Sequence, residues 1–155
     1  LGLLTPEVHQ LREAAGLPGM KVLEFAFDPN SLSDYLPHRI GENSICYAGT
    51  HDNNTLRGWI DEESAETLAF AREYLGIGEN DDLAAAVLRA GMRSKAELFV
   101  FQMQDVLGLG AEARINTPGT VGGNWCWRMK PGLLTPQLEK SLRRMAYIYG
   151  RSDKK

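Results

Sequence analysis

Three short apolar runs, each set off by stretches with helical spacing or turn residues, constrain this chain more than any other feature: Met20–Phe27, Ser44–Gly49 and Leu98–Met103. The first is apolar throughout except for Lys21 and Glu24, the pattern of a strand buried on both sides in a parallel sheet. Alternation of strand and helix predicts a parallel α/β architecture. Parallel strands of this kind close into a barrel only when there are eight, in a domain of about 250 residues. Three strands in 155 residues are too few, so the predicted fold is an incomplete sector of a (β/α)₈ barrel, with residues 1–155 as a single segment. For the third run, helix continuation competes, because periodicity cannot assign so short an apolar stretch.

The helices announce themselves by their ends. Thr5-Pro6-Glu7 reads as N-cap, first helical proline and an acid at the positive end of the dipole, with the helix running to about Ala15 and stopped by Gly16. Gly132-Leu133-Leu134-Thr135-Pro136 repeats the Gly2-to-Pro6 pentapeptide and starts a second such helix, with Leu138, Leu142, Met145 and Tyr149 on one face. Asp61-Glu62-Glu63 is the expected acidic first turn of a helix reaching Tyr74, and Asp81-Asp82 opens another, with Leu83, Ala86, Val87 and Ala90 on one side and Gly91 as a candidate interruption. The polar stretch Asp28 to Asn43 exceeds the roughly 12–15 residues of an ordinary loop, which marks it as functional or mobile. A Gly-rich segment from Gly108 to Gly123 leads into Asn124-Trp125-Cys126-Trp127-Arg128, and Arg151 to Lys155 reads as a solvated tail.

With 43% hydrophobic and 24% charged residues the composition is that of a soluble globular protein. A net charge of −3 and the lack of any Lys/Arg block longer than the terminal Lys154-Lys155 argue against nucleic acid or an anionic membrane as partner. Cys46 and Cys126 have no paired spacing and are expected to stay reduced, as in a cytoplasmic protein. No apolar stretch approaches the roughly 18 residues of a membrane span, and the start lacks the pattern of a signal peptide. The opening Leu1-Gly2 is what a segment of a longer protein is expected to show.

The candidate site is Gly49-Thr50-His51-Asp52-Asn53-Asn54-Thr55, at the end of the second apolar run. A strand ending in His-Asp-Asn presents an imidazole, a carboxylate and a carboxamide where α/β barrels carry their chemistry. The simpler reading is an Asx-type turn at Asp52 and Asn53, with Thr55 capping the next helix. The same run is similar to the Gly-Asn-His-Asp element of metallophosphoesterases, but Thr50 replaces the Asn and the only histidines are His9, His38 and His51. A two-metal site needs more convergent ligands, so no metal is expected. Without a nucleophile elbow, Walker loop or dinucleotide fingerprint, no cofactor is expected either.

A sugar site fits these residue types better. Neutral carbohydrates are held by aromatic faces and by planar polar groups that fork onto adjacent hydroxyls. Phe25, Tyr35, Trp59, Trp125 and Trp127 supply the first kind, although each taken alone is more readily core than platform; His51, Asp52, Asn53, Arg114 and Asn116 supply the second.

Six blocks in one order complete the pattern: Pro18–Leu23, Tyr35–His38, Gly49–Asn53, Gln104–Gly108, Glu112–Gly119 and Asn124–Arg128. Together they resemble the C-terminal part of the amylomaltases, also called disproportionating enzymes or 4-α-glucanotransferases, over nearly the whole chain. The resemblance implies the C-terminal sector of a (β/α)₈ barrel whose intact enzyme cuts an α-1,4-glucan or maltooligosaccharide donor. It holds the glucosyl piece as a covalent ester and passes it, with retention, to the 4-hydroxyl of an acceptor sugar. Two carboxylates close together perform such chemistry, helped by contacts to the 2-hydroxyl that tighten at the oxocarbenium ion. The family adds a third carboxylate, which Asp52 matches, gripping the 2- and 3-hydroxyls with His51 beside it. Phe25 matches an aromatic at the cleft, Asn116 and Pro118 match a loop bordering the groove, and Asn53 belongs to the same site block. The family's nucleophile and acid/base glutamate lie upstream of the matched region. None of Glu7, Glu13 or Glu24 falls in their place, so the missing N-terminal part of the same protein is an implied partner and the isolated chain is expected to be inactive. A non-catalytic glucan-binding or interaction fragment is the alternative.

Overall fold

The computed structural model describes residues 5–152; the repeated pentapeptide's first copy before Thr5 and the tail beyond Ser152 lie outside the described residues. Strands β1 (Gly19–Val22), β2 (Ser44–Tyr47) and β3 (Leu98–Val100) form a three-stranded sheet in the order β1-β2-β3. Both pairings are parallel, with Met20 opposite Ile45 and Ile45 opposite Leu98. All three strands therefore end on the same edge of the sheet, and the segments that follow them meet there.

Every strand is shorter than its apolar run. After Val22 the chain turns into a 3₁₀ helix, Leu23–Phe25, closed by the Ala26 amide on the Leu23 carbonyl at 2.9 Å. Leu23, Ala26 and Phe27 are all within 1% of full burial while Phe25 is 56% exposed. That is the spacing of a buried helical turn, which an uninterrupted apolar run conceals. β3 likewise stops at Val100, and Met103–Val106 forms a short helix carrying Gln104 and Asp105.

The helices are α1 (Pro6–Ala14), α2 (Leu56–Glu62), α3 (Ala65–Leu75), α4 (Leu83–Arg93), α5 (Met103–Val106) and α6 (Pro136–Ile148). Asp61-Glu62-Glu63 does not open a helix but closes α2. The two N-caps decide this: Thr55 Oγ1 accepts from the Gly58 amide at 3.1 Å and Ser64 Oγ from the Thr67 amide at 3.1 Å, so a new helix starts after Ser64. Both Thr-Pro starts are present, yet they differ. Thr135 caps α6 through the Leu138 amide at 3.2 Å, whereas Thr5 makes no side-chain cap and its hydroxyl engages Glu7 instead. The long stretch after Asp28 is pinned to the core by buried Leu36 and Ile40, which flank a 3₁₀ turn at Pro37–Arg39.

One sheet face packs on the helices through Cys46 and Phe99, with Leu83, Val87 and Leu88 of α4 in the same core. Gly91 does not interrupt α4. A Cβ there would collide with the Phe99 ring, so glycine is what allows helix and sheet to approach. Gly91→Ala is expected to destabilise the fold by about 1–3 kcal/mol, the usual range for overpacking a filled core, read as a lowered denaturation midpoint; an unchanged midpoint would show that Phe99 moves aside freely. The opposite sheet face is open: Met20, Leu98 and Val100 are 47%, 51% and 37% exposed. In a closed barrel this face points inward and is covered by side chains of the other strands.

Arg151 is no part of a solvated tail. Its guanidinium donates to the carbonyls of Met92, Ser94, Ala96 and Glu97 at 2.7–3.2 Å, tying the end of α6 to the α4–β3 connection. Cys46 and Cys126 are free thiols, the first buried and the second exposed. Among the described residues no helix is long and apolar enough to cross a membrane.

Candidate functional site at the C-terminal ends of the strands

The segment after β2 is a tight, internally bonded turn. Asn53 Oδ1 accepts from the Thr50 amide at 3.0 Å and from Thr50 Oγ1 at 2.7 Å, and Thr50 Oγ1 in turn accepts from the Asp52 amide at 3.2 Å. Gln102, just past β3, donates to the Thr50 carbonyl at 3.0 Å. These bonds present His51 and Asp52 outward, with side chains 55% and 50% exposed. The cap at Thr55 expected from the simpler reading is present, but the turn is built differently from the Asx-type turn expected at Asp52 and Asn53. The Thr50 hydroxyl takes the amide two residues on, and Asn53 reaches back to Thr50, because a hydroxyl already fixed by Asn53 is the nearer acceptor. Turn and cap are also what holds the imidazole and the carboxylate at the surface, so the two readings of the heptapeptide describe one structure.

A second segment comes over the top of this turn. Asn116 Nδ2 donates to Asp52 Oδ1 at 2.6 Å, and His51 Nε2 lies 3.3 Å from the same oxygen. Arg114 donates to the Asp52 carbonyl at 2.7 Å and to the Asn116 carbonyl at 3.0 Å, locking the two segments together. Beyond them, the Trp125 ring packs against His51 with centroids 5.1 Å apart and the planes tilted by 38°. Trp125 is the one non-glycine residue among those described with a left-handed backbone, φ 62°, a conformation that costs about 1–3 kcal/mol and gathers at functional sites. Its amide donates to the Ile115 carbonyl at 2.7 Å, and Asn124 braces the loop through Thr117 and Thr120. The Asp52 carboxylate, the imidazole, the Asn116 amide and an indole that is 57% exposed thus form one polar and aromatic surface.

Beneath it lie two buried carboxyl groups. Glu24, in the turn after β1, is 7% exposed and Asp105, in α5, 6%. Burial, followed by the charge of Asp105, pushes Glu24 up from 4.5 to about 8, against a hydrogen bond from Asn53 and the more distant Arg114. Burial raises Asp105 to about 6, while amide donors from Leu56 and Gln102 oppose it. Its Oδ1 accepts from the Leu56 amide at 2.7 Å and so fixes the start of α2. Of the pair, Asp105 ionises first and Glu24 keeps its proton.

Of the residues singled out from the sequence, Asp52, His51 and Asn116 are brought together. Asn53 sits in the same turn with its side chain directed at Thr50 and Glu24. Phe25 lies at the end of β1 against Tyr35, centroids 6.5 Å apart, and Pro118 is exposed in the loop two residues past Asn116. Trp59 is core, 6% exposed. Glu24 and Asp105 were not among the candidates. Their signal was an acid within or just beyond an apolar run, where an unpaired carboxylate is costly to bury. Among the described residues no group of three or more His, Cys, Asp and Glu side chains is placed to hold a metal ion.

Three parallel strands whose C-terminal ends gather this surface define an α/β barrel sector with its polar site at the strand ends. Comparison with known proteins names the family. The family model described as 4-alpha-glucanotransferase matches residues 1–135, and the chain belongs to that family. The 4-alpha-glucanotransferase of Thermus thermophilus is 45% identical over 153 residues, an alignment covering 94% of this chain and 31% of the relative. The chloroplastic/amyloplastic enzyme of Arabidopsis thaliana is 43% identical over 97% of this chain and 27% of its own length. The structure of amylomaltase from Streptococcus agalactiae in complex with acarbose superposes with a TM-score of 0.92 at 37% identity, over 99% of this chain and 31% of that one. The chain therefore spans somewhat under a third of the proteins it matches.

Proposed function

We propose that this chain is the C-terminal part of the catalytic barrel of a retaining 4-α-glucanotransferase. The intact enzyme transfers α-1,4-glucan segments from a maltooligosaccharide donor to the 4-hydroxyl of an acceptor sugar. The observation that carries the reading is the Asp52 carboxylate, half exposed yet held by Asn116 Nδ2 at 2.6 Å, with His51 alongside. A fixed, ionisable oxygen pair at the surface can fork onto neighbouring 2- and 3-hydroxyls, and those bonds strengthen as positive charge develops on the ring. Trp125 and Phe25, both more than half exposed, offer apolar faces to sugar C–H groups. Asn116 and Pro118 border the Asp52 side of this surface, while Asn53 serves it from within the turn by holding Thr50. That the Streptococcus amylomaltase is in complex with acarbose supports a sugar ligand for this fold.

The nucleophile and the acid/base belong to the part of the protein outside these residues. Apart from Asp52, the carboxyl groups described beneath the site are Glu24 and Asp105, and burial keeps both from an anomeric carbon. That outside part also supplies the remaining strands, which cover Met20, Leu98 and Val100. The cytoplasm, or a plastid as for the Arabidopsis relative, is the proposed location. The isolated 155-residue chain, incubated with maltotriose, is expected to yield neither glucose nor longer maltooligosaccharides above a blank, while the intact enzyme yields both. Products from the isolated chain would overturn the assignment of the reacting carboxylates. An alternative use of the same surface, as a glucan-binding fragment without catalysis, is favoured if the isolated chain stays monodisperse and binds maltooligosaccharides by calorimetry.

A further inference from the structure

We propose that Glu24 is a positioning residue for Asp52, a buried strut whose carboxyl group supports the Gly49–Asn53 turn from below. The inference rests on the reading of Asp52 given above. Contact is direct at both ends of the turn. A Cβ at Gly49 would fall on Glu24 Oε1, so the residue before Thr50 is glycine because the carboxyl group occupies that space, and Asn53 hydrogen-bonds the carboxyl group from the other end. Asn53 then holds Thr50 by two bonds, and Thr50 Oγ1 takes the Asp52 amide. Support therefore runs Glu24, Asn53, Thr50, Asp52, from the end of β1 into the exposed turn after β2. The Glu24 amide on the Ala48 carbonyl at 3.2 Å fixes the foot of the strut to the strand it serves.

The strut works uncharged. Facing Glu24 are Asp105 from α5, Glu62 from α2 and Arg114 from the overlying segment. The Arg114 guanidinium donates to the carbonyls of Asp52 and Asn116, so its charge favours ionisation of Glu24 without forming an ion pair with it and is outweighed by burial and Asp105, and Glu24 Oε1 has no hydrogen-bond partner. Ionisation would place an unpaired carboxylate among acids directly under the turn. A carboxyl group raised from 4.5 to about 8 stabilises the fold fully below 4.5, and that contribution is lost as the pH rises through about 8. The positioning of Asp52 is lost over the upper end of the same window.

The test uses the intact enzyme, with glucan transfer measured against pH and crystal structures of the variants. Glu24→Gln keeps the neutral shape and the bond to Asn53; its turnover is expected to stay within about threefold of the parent and to outlast the parent's above about pH 8. Glu24→Ala is expected to lower kcat by about 10- to 100-fold, the cost of a misplaced catalytic group, with KM little changed and the Asn116–Asp52 contact of 2.6 Å broken. Gly49→Ala, whose Cβ would meet the Glu24 carboxyl group and, less closely, Asn53 Cβ at 3.2 Å, pushes the strut off the turn without changing its chemistry; it is expected to act as Glu24→Ala does and serves if that variant does not fold. Parental turnover in Glu24→Ala, or an equal fall in Glu24→Gln, overturns the proposal. If the parent itself transfers no glucan, the functional reading fails, and the variant structures alone decide the strut: Asp52 moves in Glu24→Ala and stays in Glu24→Gln, or the proposal is wrong.

Discussion

Replacing Asp52 by Asn in the intact enzyme is expected to lower turnover by on the order of 100-fold or more, as removal of one transition-state contact does elsewhere, with little change in KM. Asparagine keeps the size and one oxygen of the side chain, so the Asn116 donor at 2.6 Å retains an acceptor and the turn is undisturbed. What is removed is the negative charge. A neutral sugar in the ground state needs hydrogen bonds but no charge; an oxocarbenium-like ring needs both. An interaction stronger in the transition state than in the ground state appears in kcat and not in KM. Half exposure of the side chain also means that folding stability should hardly change. Steady-state kinetics with maltotriose check this, and a raised KM at constant kcat would make Asp52 a simple binding group.

The largest effect on stability is expected at Arg151. Arg151→Ala removes four donors from the carbonyls of Met92, Ser94, Ala96 and Glu97. Bonds from a charged donor contribute about 1.5–3 kcal/mol each when counted singly, but water reaches some of the released carbonyls and the four act as a unit, so the loss is expected to be about 2–4 kcal/mol. The consequence is larger than for an ordinary surface arginine because α6 has no fully buried residue and rests on the core through partly buried Met145, Ala146 and Tyr149. Denaturant unfolding of the variant measures the loss; a change below about 0.5 kcal/mol, the range of neutral surface substitutions, would show that packing alone docks the helix.

Features written locally were legible in the sequence. Three parallel strands, the proline-led helices, the cap at Thr55 and the placement of His51 and Asp52 at a strand end all depend on short-range spacing and turn chemistry. The division of α2 from α3 depended on Ser64 outcompeting three consecutive acids as a helix start, which composition alone did not reveal. The 3₁₀ turn at Leu23–Phe25 was hidden because a run buried on all sides carries no period. Arg151 and Glu24 were missed for a shared reason. Each acts on residues far away in sequence, Arg151 on Met92 to Glu97 and Glu24 on Gly49 and Asn53, so neither role leaves a local mark. Glu24 was visible only as an acid in an apolar run.

The most direct measurement is a crystal structure of the intact enzyme with acarbose bound. Asp52 Oδ1 and Oδ2 within hydrogen-bond distance of the 2- and 3-hydroxyls of one ring, with His51 beside them and the nucleophile and acid/base carboxylates supplied from outside these residues, is the expected result. A sugar bound elsewhere, with Asp52 facing only Asn116 and solvent, would contradict it.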